Sequence, residues 1–535
     1  MTRRKPRSRL SRTLPPLFIF LGMALVLSLS SCDLFFGSSS SSRLPVRAPI
    51  QLFEPPSVRY DLPVPDGGRI GDETVKFYAR DLQDVWRVVD AELLGHRADS
   101  AYLYVEAGEA LGTLSAETIL NEFAAKIRPM VGTYIGDAAF VDSLGFYTDD
   151  RSVIILALDL GAPDDNGAML LGYFDPVHTF ENDPNHSQLQ YSNATPMLFL
   201  NSRVLTDWSE DDSVNATQFL LTLAHEFQHL NNFYTNIYGQ NLGQMHTWID
   251  EMLSAAAEYY YAGVQQARID YFTGHDGFSL NEATTVDYNP YVALGQNHIP
   301  WGRTGSDILT SYASVHMKMN WLRLQSGNQS TLFADIVLSP YLDQRSVAIA
   351  ANVNGVGVSD WKSLVRAWGA ATRLQNPTGL FGYKGAISYG SGSVVTLNQI
   401  LNDTNTTLSG GQYALYPGEF VYVEPGASST FNLDNVSPGE TVQYARLSSS
   451  GVLTGGSLRL GEHLLSYNVS ANPNGSASAT RQLPLSGQFV ADTGISSLST
   501  SETTSISITP PPGPHGVDMV FRDSPASGLR ALEAE

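Results

Sequence analysis

The groups best placed to do chemistry stand close together. The stretch T-Q-F-L-L-T-L-A-H-E-F-Q-H-L-N-N-F-Y-T-N, residues 217–236, holds His225, Glu226 and His229 in an H-E-x-x-H pattern. Residues four apart share a face of an α-helix, so the two imidazoles can address one metal ion. Two imidazole nitrogens and one carboxylate make a catalytic zinc set that leaves the fourth position to water. Glu226, between the histidines, can accept the proton of that water as it attacks a carbonyl.

The surroundings predict the helix this chemistry needs. Phe219, Leu220, Leu223, Ala224, Phe227 and Leu230 recur at helical spacing, and Asn215 is placed to cap the start. The motif alone is not decisive, because chance produces it in about one chain in a hundred of this length. A second helical segment, Trp248 to Glu258, follows a polar link. Glu251, early on that helix, is the natural third ligand. Glu258, two turns further on, supports the ligands from behind or is merely solvated.

H-E-F-Q-H-L followed by W-I-D-E resembles the gluzincin metallopeptidases, whose third zinc ligand is a glutamate on a later helix. Within that clan the chain is similar to the hyicolysin-type neutral metallopeptidases of bacteria. The supporting pieces are Gly172-Tyr173-Phe174, Ser192-Asn193, Met197-Leu198-Phe199-Leu200 and Leu223 to Leu230, within a likeness spanning about residues 100–385. One departure is Met252 after Glu251, where glycine is common. The resemblance implies a zinc endopeptidase with His225, His229 and Glu251 as ligands and Glu226 as base. It further implies a Tyr or His from the helical lobe at the oxyanion, for which Tyr312 comes first and His316 second; core packing is the competing role for each. By the same analogy, Met197 to Asn201 is the edge strand that pairs with extended substrate. His246 and His298 read as surface histidines that could line the cleft.

The 535 residues suffice for two to four domains, and 43% hydrophobic with 16% charged residues fits a globular protein. Cys32 is the single cysteine, so no disulfide forms within the chain. Arg3, Arg4, Lys5, Arg7, Arg9 and Arg12 precede an apolar stretch from Leu17 to Leu29 that is short for a membrane span. Leu29-Ser30-Ser31-Cys32 then resembles a bacterial lipobox, which implies cleavage before Cys32, a lipid on its thiol, and an extracytoplasmic protein anchored to the envelope membrane. An ordinary signal peptide is the alternative. Residues 1–31 hold six basic and no acidic residues, so their loss takes the formal charge from −21 to −27. A surface this acidic argues against nucleic acid as a partner.

Along the chain, residues 1–31 read as signal peptide and 32–56 as a Ser- and Pro-rich tether. Residues 57–108 form a β-rich lead-in with strands around Val58, Val75–Tyr78 and Ala101–Val105. The peptidase domain spans 109–385. In it, Ser115 caps a helix ended by Pro129, Val153–Leu158 is a buried strand, and residues 306–325 are helical. Asp149, Asp150, Asp164 and Asp165 are solvated loops or, less simply, calcium ligands. Residues 386–510 carry β-strands between Pro-Gly turns, and 511–535 form a tail opened by prolines that end regular structure.

The expected fold is therefore α+β: a thermolysin-like two-lobed metallopeptidase domain between a β-rich N-terminal segment and a β-sandwich-like C-terminal region. The expected function is zinc-dependent endopeptidase action on a protein or peptide substrate. The rival is an inactive surface-binding lipoprotein on the same fold, disfavoured by the intact set of His225, Glu226, His229 and Glu251. A zinc aminopeptidase is disfavoured because no G-x-M-x-N stretch is present.

Overall fold

In the computed structural model the described residues are 61–81, 85–136, 152–162, 169–273, 308–374 and 376–387, together with strand 31–32 and nine strands between 411 and 522. Residues 33–56 of the tether, Val58, the aspartates at 149, 150, 164 and 165, and His298 lie outside them.

Strands β1 (Ser31–Cys32), β2 (Thr74–Arg80), β3 (Trp86–Arg97), β4 (Ala101–Glu106), β5 (Val153–Leu158), β6 (Gly172–Tyr173) and β7 (Met197–Asn201) form one sheet in the order β1-β6-β7-β5-β4-β3-β2. The β-rich lead-in thus supplies β2 to β4 of the same sheet that carries β5 and β7. β4, β5 and β7 run parallel and are buried on both faces, which explains the unbroken apolar runs V-I-I-L-A-L and M-L-F-L. Side chains alternate between two cores. Leu103, Ile155, Leu198 and Leu200 face the helices. Tyr104, Ile154, Leu156 and Phe199 fill the hollow of the curled sheet with Val75, Phe77 and Val89.

The curl brings the far edges of the sheet together. Tyr173 Oη, on β6, accepts from Arg80 N–H at 2.9 Å and donates to Arg80 C=O at 3.1 Å. The Asn193 side chain accepts from Tyr78 N–H and donates to Tyr78 C=O, both at 2.8 Å. These side chains satisfy backbone groups of β2 that an open edge would expose. A buried Arg80–Asp175 ion pair completes the clasp, with Trp86 stacked on Tyr191.

The helices are α1 (Ala116–Glu122), α2 (Arg128–Tyr134), α3 (Val204–Asp207), α4 (Asp212–Phe233), α5 (Thr247–Ala262), α6 (Gln266–Thr273), α7 (Ile308–Gln325), α8 (Leu332–Val337), α9 (Gln344–Val353) and α10 (Trp361–Leu374). Ser115 caps α1 as expected, accepting from Thr118 N–H at 3.1 Å. Pro129 does not end the helix. A π-turn over Phe123–Ile127 lies between α1 and α2, and Pro129 falls in the first turn of α2, where a missing N–H is harmless. Asp211 caps α4 in place of Asn215, taking Ser213 N–H at 2.8 Å, while Asn215 sits inside the helix and donates to Ser209 C=O. The strand Met197–Asn201 is not an edge. It lies between β5 and β6, because the two-residue β6 pairs Tyr173 with Phe199 and Gly172 with Leu200.

Nine further strands from Gly411 to Arg522 form a five-stranded and a four-stranded sheet. One of them, Asp518–Arg522, lies in the stretch expected to be an irregular tail. The strand Phe420–Val423 is fastened to α10: Tyr422 Oη donates to Gly369 C=O at 2.7 Å, and Phe420 packs edge-on to Trp368. No helix among the described residues is long and apolar enough to cross a membrane.

His178, in the clasp beside Asp175, is fully buried. Burial dominates and holds its pKa down to about 4, with Asp175 opposing and Arg80 reinforcing the shift. His316 is likewise depressed by burial, to about 3. An unfolded histidine titrates near 6.5, so between about pH 6.5 and 4 the unfolded chain binds protons that the folded chain refuses. Stability therefore falls as pH drops through this window, by on the order of 2–3 kcal/mol per histidine. Thermal unfolding across that range should show the decline, and His178→Asn, which keeps an acceptor but cannot be protonated, should make it shallower. A midpoint that is flat from neutral pH to about pH 4 would contradict this.

Candidate metal centre

α4 and α5 lie side by side. The small run Ser254-Ala255-Ala256-Ala257, fully buried, lets α5 come close to its neighbours. Gly172 does the same for the strand. A Cβ there would meet Phe199 O at 2.7 Å and Thr222 Cγ2 at 2.9 Å, so β6 runs tight against α4. Thr222 and Glu226 are one turn apart and share that face.

The candidate ligands meet between the two helices. His225, His229 and Glu251 are each 1% exposed, and Glu226 beside them is buried. Glu251 Oε2 lies 3.2 Å from His225 Nε2 and 3.5 Å from His229 Nε2. The three candidate ligand atoms fall within 4.8 Å of one another. A tetrahedral ion with bonds of about 2.05 Å separates its ligand atoms by about 3.3 Å, so the set fits a metal ion of zinc size.

The remote nitrogens are held as a metal site requires. His225 Nδ1 is 2.8 Å from Glu258 Oε1, and His229 Nδ1 is 2.9 Å from Asp250 Oδ2. Each carboxylate can take an Nδ1–H and so turn the Nε2 lone pair toward Glu251. The carboxylates are themselves held. Asn232 Nδ2 donates to Asp250 Oδ1 at 2.6 Å, and Arg268 Nη2 donates to Glu258 Oε1 at 2.6 Å. Glu258 thus holds a candidate ligand rather than lying solvated.

The charges favour a cation. Burial alone would push both imidazoles down, yet Glu251 and Glu258 carry His225 up to about 10, and Asp250 and Glu251 raise His229 well above its ordinary value. Burial would raise Glu251, but His229 and His225 outweigh it and hold it at about 2. Three buried carboxylates, at 226, 251 and 258, and the partly exposed Asp250 crowd two imidazoles and one guanidinium on these elements. A divalent cation offsets that excess of buried negative charge.

Tyr312, on α7, reaches the site: its hydroxyl donates to Glu251 Oε1 at 3.3 Å. His316, one turn further along α7, is buried, and neither ring nitrogen makes a hydrogen bond among the described residues. His246 precedes α5 and is half-buried, with its backbone N–H on Leu342 C=O. Sequence reasoning missed Asp250, Asn232 and Arg268. Asp250 carried a usable signal, since it adjoins Glu251 on a helix that must face His229; Arg268 lies beyond a helix break and carried none.

Replacing a carboxylate that orients a metal-binding histidine typically weakens metal binding about 10- to 100-fold. Asp250→Asn should show a loss of that size in competition with a chelator, at little change in thermal stability. An unchanged affinity would mean that His229 is not oriented through Asp250.

No protein-family model matches the chain. The chain is similar to the neutral metalloprotease ShpI of Staphylococcus hyicus, 26% identical over 277 residues, which cover 51% of this chain and 56% of the relative. The match therefore spans little more than half the length of that relative. The relative and the buried cluster of His225, His229 and Glu251 together support a metalloprotease-type hydrolase.

Proposed function

We propose that the protein is a zinc-dependent endopeptidase. The observation that carries this reading is the convergence of His225 Nε2, His229 Nε2 and Glu251 Oε2 on one buried point, beside Glu226 and under the Tyr312 hydroxyl. Zinc bound there would supply Lewis acidity, lowering the pKa of water and polarising a scissile carbonyl. Glu226 takes the proton from the attacking water and delivers it to the leaving amine, which turns a poor leaving group into a neutral one. Tyr312 is placed to donate its O–H to the oxygen that gains charge as the carbonyl is attacked. Asp250 and Glu258 keep the imidazoles aimed while this happens.

The substrate is an extended peptide. β6 packs on the face of α4 that carries Thr222 and Glu226, so an extended chain laid along that face would lie beside the base, with backbone groups giving most of the contact. The fully buried catalytic groups favour extended chains over folded surfaces.

The N-terminal sequence supports an envelope location. Residues 1–31 act as a lipoprotein signal peptide, and Cys32, which pairs with Gly172 at the edge of the sheet, carries the lipid that keeps the body on the extracytoplasmic side of the membrane. The acidic body keeps nucleic acid away.

The test is cleavage of an unstructured protein by a soluble chain lacking residues 1–42. Chelator should abolish cleavage and zinc restore it. Glu226→Gln should hold zinc as tightly as the parent while losing at least about 100-fold in kcat. Tyr312→Phe should lower kcat by about 10- to 100-fold with little change in KM. Undiminished cleavage by Glu226→Gln would end the proposed mechanism, and bound zinc without cleavage by the parent would favour a binding protein.

A further inference from the structure

Two helices carry the candidate ligands, and a third comes back to touch them. Gly263, at φ 89°, ends α5, and α6 begins at Gln266. The reversal puts Arg268, 3% exposed, against the last turns of α5. Its Nη2 donates to Glu258 Oε1 at 2.6 Å, and that same oxygen lies 2.8 Å from His225 Nδ1. Its guanidinium carbon lies 5.3 Å from the centroid of the Tyr312 ring, whose hydroxyl reaches Glu251 at 3.3 Å. One side chain therefore touches both the carboxylate that orients a candidate ligand and the ring of the candidate oxyanion donor.

We propose that Arg268 is a positioning residue that sets His225, through Glu258, and Tyr312, through its ring, in one fixed relation. The inference rests on the zinc peptidase reading. Arg268 does not touch the reacting atoms. Its two contacts use different properties of the guanidinium. The grip on Glu258 needs a donor and a positive charge, which lysine also has. The contact with Tyr312 favours the flat, delocalised guanidinium, which fixes the ring by its whole face, over the point charge of lysine on a flexible stem. An edge contact with Glu258 and a face contact with Tyr312 on one rigid group couple the two partners: a shift of α6 moves both together. The arrangement also links α6 to α7, so the ligand helices and the helix bearing Tyr312 are braced by the same residue.

The test compares the parent, Arg268→Met and Arg268→Lys as soluble chains. Zinc affinity is measured against a competing chelator, kcat and KM on an unstructured protein, and folding by thermal unfolding. Arg268→Met should lose about 10- to 100-fold in zinc affinity and also lose kcat. Arg268→Lys should recover zinc affinity to within about threefold of the parent, while kcat stays about tenfold down and KM is unchanged. A residue that merely stabilises the fold would not separate affinity from turnover in this way. Parental affinity and kcat in Arg268→Met would overturn the proposal, as would Arg268→Lys restoring both properties or neither. If Arg268→Met does not fold, the split in Arg268→Lys decides. A parent that cleaves normally beside unaltered variants defeats only this inference. A parent that neither holds zinc nor cleaves removes the peptidase reading and this inference with it.

Discussion

The site depends on the close packing of α4 against α5. It brings Glu251 within 3.5 Å of two imidazoles that themselves lie one turn apart on a single helix. Packing at this distance requires small side chains on α5, and Ser254, Ala255, Ala256 and Ala257 supply them. A larger side chain in that run would push the helices apart, and Glu251 would leave the imidazoles before any ligand residue had been changed. The same closeness concentrates carboxylates in a buried place. That is unfavourable for a protein with no use for a cation and suitable for one that holds a divalent metal.

The sheet serves this packing from the other side. Its helix-facing residues on β4, β5 and β7 give α4 an apolar floor, and Gly172 lets β6 approach the helix at the level of Thr222. The curl lets the outer edge of β2 be closed by Tyr173 and Asn193 rather than by another strand. Tyr173 and Gly172 are adjacent, so the clasp that closes the sheet and the strand that borders the candidate site are one short segment. Displacing that segment would loosen both.

How much the sequence disclosed depends on the range of each interaction. His225, Glu226 and His229 were legible because their relation is local: one helix, one turn, and an apolar stripe that forces the helix to form. Glu251 was legible because it opens a second helix a short way downstream. Tyr312 came only by resemblance; nothing in its neighbourhood distinguishes it from a core tyrosine. Arg268 was not legible, since its partners lie 10 and 44 residues away and meet it only after the turn at Gly263. The edge position of Met197–Asn201 was misjudged because β6 has two residues, too short for any strand pattern to reveal. The capping of α4 was misjudged because Asp211 and Asn215 are both good caps, and the contacts of Asn215 with Leu205 and Ser209 decide between them. Pro129 misled for a similar reason. A π-turn resets the helix so that proline falls at a new first turn, and no sequence rule announces it.

His225, His229 and Glu251 are proposed to hold one zinc ion. Zinc-edge X-ray absorption of the zinc-loaded protein tests this assignment most directly. Only nitrogen and oxygen neighbours at about 2.0–2.1 Å are expected, with the outer-shell scattering of two imidazoles, and one imidazole fewer in His229→Ala. A sulfur neighbour at about 2.3 Å, or a spectrum unchanged by His229→Ala, would place the metal elsewhere and contradict it.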